Sequence, residues 1–483
     1  MSTYKHGVYT SEVATSMVAP VTGTAGLMVV IGTAPVNMLA DPSAAVNKPL
    51  LVNNYQEAVE AVGYDSDFAK FTLCEAISAA FSVVGTGPLV LINVLDPATH
   101  KAAVEETTVQ VNSKVAVVPV SGIITDGLTV KSGATTLAAG TDYTTSFNDD
   151  GTLNIILIDS GAGASATSLK VSGYKIDPSA VTAADIVGGV SAATGEEKGL
   201  EVIRQIYPKL GMTPGILLAP RFSMEATVAA ALQAKTKEIN GVFKCVCIID
   251  VSSKTGGALK YSDVKTAKEA QAVSDPNAYP VWPAAAVGDV VYSGSSLAAA
   301  LTAYTDAVNA DTPNVSPSNK TLAISKACLI DGTEVVLDQD QANTVNSFGV
   351  ATFLNMNGFR LWGNNTAAYP GNTDPKDRWF SVRRFLNWAA NTFILTYFQK
   401  VDSPANPRLI EAIVDSENVR GNGFVARGVC ARYEITFNED ENTTVDLLNG
   451  KLTFHQYITP YTPAEDIEDV IEFDPNALSA ALT

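Results

Sequence analysis

Apolar and polar positions fall into short runs separated by turn residues. Residues 27–32 (LMVVIG) and 88–95 (PLVLINVL) are continuous apolar runs of strand length, the pattern of strands covered on both faces. Between them, residues 55–62 predict a short helix. Residues 68–84 predict an amphipathic one, with Phe71, Cys74, Ile77 and Phe81 at three-to-four spacing. From residue 101 to about 177 helical spacing vanishes, and Thr, Val, Ser and Gly dominate. Asp126-Gly127, Ser132-Gly133 and Asp149-Asp150-Gly151 sit between apolar runs as hairpin turns. An α/β pattern then resumes, with a helix over 196–210 and a strand over 215–219. An Ala-rich helix follows, capped by Ser223 and running to Ile239, then a strand over 242–250. Helices are expected over 262–273 and 295–308.

The last third reads differently. Residues 350–366 (VATFLNMNGFRLWGNNT) predict two short strands around a turn, because Asn and Gly tolerate positive φ. Residues 377–400 form the most periodic segment. Trp379, Val382, Leu386, Ala389, Phe393 and Tyr397 line one face, with Lys376, Arg383, Asn387 and Asn391 on the other. Asn406-Pro407 opens a further helix as cap and first residue, burying Leu409, Ile410, Ile413 and Val414 and ending at Gly421 and Gly423. Residues 431–437 and 451–459 predict strands, the second with Leu452, Phe454, Gln456 and Ile458 on one side. Residues 467–474 (IEDVIEFD) place Ile467, Ile471 and Phe473 opposite Glu468, Glu472 and Asp474. A strand there, past two prolines, needs backbone partners from another chain. Residues 1–20 are either disordered or a strand awaiting a partner sheet.

The fold class that follows combines α/β and α+β in a multidomain chain. A discontinuous α/β domain (25–97 and 186–347) holds an inserted all-β module (98–185). A C-terminal α+β domain (348–464) and two extended arms (1–24 and 465–483) complete it.

Composition narrows the function. An apolar content of 46% and a charged content of 17% make large cores affordable. The net charge of −18 argues against a nucleic-acid wrapper or an anionic-membrane coat, and fits a soluble subunit kept apart from its copies. Five cysteines (Cys74, Cys245, Cys247, Cys328 and Cys430) form no disulfide framework, and with no apolar leader at the start a reducing cytosolic setting is expected. Cys245 and Cys247 lie in an apolar strand-like run and read as buried core thiols. No G-x-S-x-G, H-E-x-x-H, Walker A or C-x-x-C motif occurs. No catalytic residue, metal site or cofactor is expected. Lys376, Arg378, Arg383 and Arg384 cluster near one helix start, and Glu465, Asp466, Glu468, Asp469, Glu472 and Asp474 crowd the tail. These are either two solvated faces or patches that meet between copies.

The run Gly358, Phe359, Arg360, Leu361, Trp362, Gly363 resembles the signature of contractile phage tail sheath proteins. The segments PANPRLIEAIV and NGKLTFHQYITPYTPAEDIEDVIEF, the middle stretch EVIRQIYPKLGMTPGILLAPRFSMEATVAAAL, and Gly7-Val8-Tyr9 with Glu12 at the start are similar to that family too. The resemblance covers most of the chain outside about 101–178. It implies a non-enzymatic structural subunit that stacks as rings, six-fold in the family, around an inner tube. Baseplate and tail terminator proteins are further implied partners, with no direct nucleic-acid binding and no membrane insertion. Subunits would be made and assembled in the host cytoplasm and act in the virion tail, contracting to drive the tube through the envelope. Terminal arms would add strands to neighbouring subunits. Here those arms are Tyr4, Gly7, Val8, Tyr9 and Glu12 at one end, and Ile467, Val470, Ile471 and Phe473 at the other. Leu452, Phe454, Gln456 and Ile458 are the expected receiving sheet. Arg408, Glu411 and Asp415, on the helix starting at Pro407, are the candidates for facing the tube. The competing readings are a cytosolic α/β enzyme with a β insertion, and a sheath from a phage-derived bacteriocin or another injection system.

Overall fold

A computed structural model of the chain describes residues 23–482. The expected N-terminal arm residues Tyr4, Gly7, Val8, Tyr9 and Glu12 lie outside the described residues.

Six strands form the central sheet: β1 (Met28–Gly32), β2 (Leu50–Val52), β3 (Leu89–Asn93), β4 (Ile216–Leu218), β5 (Val246–Asp250) and β6 (Ala278–Val281). Their order is β6-β5-β4-β1-β3-β2, parallel except for β2 at the edge. β1, β3, β5 and β6 are buried at every position, which explains their unbroken apolar runs. Helix α1 (Gly294–Val308) is buried along most of its length, and two buried carboxylates meet its N-terminus. Glu75 accepts from Ser293 N (2.8 Å), Ser296 Oγ (2.8 Å) and Arg221 Nε (2.8 Å). Asp250, at the end of β5, accepts from Ser295 N (2.7 Å), Ser295 Oγ (2.6 Å) and Ser223 Oγ (3.0 Å). Helix-end donors favour such anions, yet burial pushes the Asp250 carboxyl up to about 6.

Residues 101–176 fold as an antiparallel seven-stranded sheet with a core of its own, including Val118, Val130, Leu153, Ile155 and Val171. Asp149-Asp150-Gly151 turns between strands Tyr143–Phe147 and Thr152–Leu157. Asp126-Gly127 does not turn, contrary to expectation. It lies inside strand Ile123–Ser132, where Gly127 takes φ +74° opposite a register shift between Ser172 and Tyr174. A bulge uses the same residues as a turn.

Several helices depart from the pattern read in the sequence. The expected helix over 68–84 is regular only at Thr72–Ile77, and Ser78–Val84 is widened, with Gly85 N bonding Ala80 O at 2.8 Å. Thr72–Ile77 is buried at every position, so amphipathic spacing carries no information there. Ser223 does not cap the Ala-rich helix, which begins at Ala226 after Glu225; its hydroxyl serves Asp250 instead. Helix α2 (Phe380–Tyr397) buries its expected apolar face at Val382, Ala389 and Tyr397, and part of its expected polar face as well. Asn387 and Asn391 are buried, and Leu386 and Phe393 are only half-buried. Asn391 exchanges hydrogen bonds with Lys244 N (2.9 Å) and Lys244 O (2.7 Å), and Asn387 donates to Cys245 O (3.2 Å). These amides satisfy backbone groups beside β5 that no strand pairs.

The packing does not divide at residue 348. Phe353, Leu361 and Phe380 belong to the same hydrophobic cluster as β1, β3 and β4, and Ala351 bonds Pro280 O and Trp282 N next to β6. A separate cluster joins Phe385, Trp388 and Ala389 of α2 to Phe424, Val429, Cys430 and Tyr433. Helix α3 (Pro407–Ala426) begins at the Asn406 cap and continues through Gly421 and Gly423, which were expected to end it. A Cβ on Gly421 would stand 2.2 Å from Tyr433 O, so glycine lets the helix lie on the strand beneath.

Gly421→Ala is expected to destabilise the protein by about 1–3 kcal/mol through overpacking, measured by denaturant unfolding. The Asp250 carboxyl holds its proton to higher pH folded than unfolded, so its contribution to stability is present below about pH 4 and lost as pH rises through about 6. The stability difference between wild type and Asp250→Asn should therefore shift against wild type by about 3 kcal/mol across that window, read from unfolding curves at each pH.

Candidate functional site

The hairpin of β7 (Thr352–Asn355) and β8 (Phe359–Trp362) carries the signature residues. Its register pairs Thr352 with Trp362 and Asn355 with Phe359, and Asn357 (φ 54°) and Gly358 (φ 101°) make the turn. Most of the signature faces the protein. Phe359 packs half-buried on the main core. Arg360 donates to Asn319 O (3.1 Å) and Met356 O (3.3 Å), and Trp362 Nε1 to Asn343 Oδ1 (3.3 Å). Gly363, at φ 140°, donates to Ser318 Oγ (2.9 Å) and accepts from Tyr279 OH (2.6 Å). A Cβ there would meet Ala351 Cα at 2.9 Å. Lys268 secures the adjoining chain by donating to Phe348 O (2.7 Å), Ala367 O (2.7 Å) and Tyr369 O (3.1 Å), and burial pushes its amine down to about 8. Of the signature, Gly358 at the turn is exposed.

Helix α2 links this body to the C-terminal hairpin. Arg384 pairs with Asp306 of α1, both side chains 2% exposed, and also donates to Ala25 O (3.1 Å). Trp388 Nε1 donates to Gly23 O (3.0 Å), and Thr392 Oγ1 accepts from Gly23 N (3.1 Å). Gly23, the first described residue, thus lies along α2. The basic cluster is paired within the chain: Lys376 with Asp374 and Asp377, Arg383 with Asp377, Arg384 with Asp306, and Arg378 with Glu465 of the tail.

Strands β9 (Cys430–Thr436) and β10 (His455–Pro460) form a two-stranded antiparallel sheet, with no further strand on either edge among the described residues. Gln456 and Ile458 lie in β10, opposite Ile435 and Tyr433. Leu452 and Phe454 do not, because the strand starts only at His455, and Phe454 packs instead near Phe437 and Phe393. Beneath the sheet, Glu417 accepts from Arg420 Nη2 (2.5 Å), which also donates to Tyr433 OH (2.6 Å). Burial raises the Glu417 carboxyl despite Arg420. Arg408, Glu411 and Asp415 are exposed on α3.

Beyond Glu465, residues 466–473 of the tail have no hydrogen-bond or ion-pair partner among the described residues. Residues 461–474 form neither helix nor strand there, and Ile467, Val470, Ile471 and Phe473 are 74–89% exposed. More than half of the exposed large apolar residues lie within 398–482, so unsatisfied surface gathers at this end. A short helix, Pro475–Ala481, follows; the Asp474-Pro475 start, with Asp474 Oδ1 accepting from Asn476 N (2.9 Å), was the overlooked signal. A cleft of about 500 Å³ between Trp362, Asn343, Asn346 and the tail root at Pro463–Asp466 is lined mainly by amides and hydroxyls. Among the described residues, no group of three or more His, Cys, Asp or Glu side chains could share a metal ion. The five cysteines are buried and unpaired, and burial pushes the Cys74 thiol up to about 12. Among the described residues, no helix is long and apolar enough to cross a membrane.

This mixed α/β fold of several sheets is similar to that of contractile-sheath proteins. The chain superposes on the sheath of an extracellular contractile injection system, PVC, in its contracted state, with TM-score 0.59, 13% identity and 99% of each chain covered. It also superposes on the contracted helical sheath of the anti-feeding prophage, with TM-score 0.57, 14% identity, and 98% and 100% of the two chains covered. In sequence the chain is homologous to phage tail sheath proteins. It is 27% identical over 477 residues to that of Burkholderia phage BcepMu, covering 96% of this chain and 95% of that one. It is 26% identical over 306 residues to that of Escherichia phage P2, covering 60% and 70%. The major tail sheath protein of Serratia phage KSP20 is 24% identical over 320 residues, covering 65% and 77%. No family model matches the chain.

Arg384→Met, which strands Asp306 without its partner, is expected to cost about 3–5 kcal/mol in urea unfolding.

Proposed function

We propose that the chain is the repeating structural subunit of a contractile tail sheath, stacked in six-fold rings around an inner tube and bounded by baseplate and terminator proteins. Its contraction drives the tube through the host envelope for genome delivery. The homologues' description as tail sheath proteins supports a structural rather than a catalytic role. One observation carries the mechanism: among the described residues, a tail without backbone partners lies in the same molecule as a two-stranded sheet with free edges. Strand addition between copies satisfies both, and main-chain bonds persist while subunits tilt. Ile467, Val470, Ile471 and Phe473 are the donated residues, and β9 with β10, including Gln456 and Ile458, is the receiving sheet. Tyr4, Gly7, Val8, Tyr9 and Glu12 add a second strand to a neighbour. The exposed Arg408, Glu411 and Asp415 face the tube, as steering charges rather than as the source of affinity. Contraction draws its energy from surface buried in the tighter packing, without nucleotide. Assembly takes place in the host cytoplasm.

Electron microscopy of the full chain beside a version lacking residues 465–483 tests this. The expected result is striated tubes from the full chain and single subunits from the truncation. Closed small oligomers from both would contradict self-assembly through the tail.

A further inference from the structure

The tail root is attached to one part of the molecule and avoids another. It leaves β10 at Pro460, and β10 has an open outer edge among the described residues. A fold-back onto that edge would satisfy the tail's own backbone groups, as in any hairpin. The tail does not take that path. Five residues past Pro460, Glu465 meets Arg378, and residues 466–473 then make no hydrogen bond among the described residues.

Arg378 is held in place before it meets the tail. Its guanidinium lies over the rings of Trp379 (4.0 Å) and Tyr369 (4.6 Å), and Nε donates to Asn365 Oδ1 (2.9 Å). Its carbonyl accepts from Thr366 N (2.7 Å). Stacking and the Asn365 bond fix the side chain in advance, so less entropy is lost on pairing than for a free surface arginine. The residues around it, Leu361, Ala367 and Phe380, pack with the parallel-sheet core and not with the C-terminal hairpin.

We propose that Arg378 and Glu465 form a latch holding the tail root on the parallel-sheet body, away from the open edge of β10, so that the edge stays free for a second copy of this chain. The latch rests on the sheath reading, and it adds a specific role: it opposes self-closure of the subunit. Glu465 is the one tail carboxylate with a salt-bridge partner among the described residues, which separates it from the other tail acids.

The experiment uses the full chain with nitroxide labels on Ser347→Cys and Asp469→Cys, both exposed positions. Pulsed electron paramagnetic resonance reads the distance distribution in the unassembled protein, and light scattering reads assembly in the unlabelled protein. Glu465→Gln and Arg378→Glu should broaden or shift the distribution. Each should also slow assembly by about fivefold, the factor that loss of one favourable ion pair carries. The charge swap Arg378→Glu with Glu465→Arg should restore both. An unchanged distribution in Glu465→Gln overturns the latch. A changed distribution with wild-type assembly overturns its role in keeping the edge free. Failure of the wild type to form tubes overturns the sheath reading alone, since the distances still report on the latch.

Discussion

The buried pair of Arg384 and Asp306 fixes helix α2 against helix α1, and the rest of the C-terminal structure is placed through α2. Two charges out of water require near-complete hydrogen bonding, which Asp306 and the carbonyl of Ala25 supply. One side of α2 reaches the parallel sheet through Asn387 and Asn391; the other packs Phe385 and Trp388 against Phe424 and Tyr433. Gly23, where the described chain starts, is bonded to the same helix. Without such an element the sheets would be joined only by loops and would swing independently.

The C-terminal end is built to be completed. A two-stranded sheet is marginal by itself, and its free edges invite pairing. The exposed apolar residues of the tail alternate with carboxylates, so the tail is both adhesive and strongly acidic. With a net charge of −18, copies repel until contacts are properly aligned. The motif hairpin, by contrast, is largely occupied within its own subunit, and its arginine, tryptophan and terminal glycine hold backbone and loops together. Residues that mark a family can do so by building the fold.

The unbroken apolar runs at β1 and β3 and the loss of helical spacing after residue 101 were legible because each follows directly from burial on two faces or one. Legibility failed where tertiary contacts overrode a local rule. Thr72–Ile77 is buried all round, so no amphipathic face exists to detect. Asn387 and Asn391 read as solvent-facing, yet they serve backbone groups at a seam that no periodicity records. Gly421 read as a helix end and is a close-contact point on Tyr433. In the candidate site, exposure of the tail and of Arg408, Glu411 and Asp415 was legible from alternation and helical spacing. The pairing of Arg378 with Glu465, 87 residues apart, was not.

Inter-copy cross-linking tests the central claim most directly. One preparation carries a single new cysteine in the tail, at Ile471. Others carry one on β10, at Tyr457 or Ile458, while the native thiols stay buried. A disulfide between two such preparations can form only between copies. Strand exchange predicts that mixing and assembly give cross-linked pairs whose yield alternates along β10 with strand period. Tubes that form without any such cross-link would contradict the account.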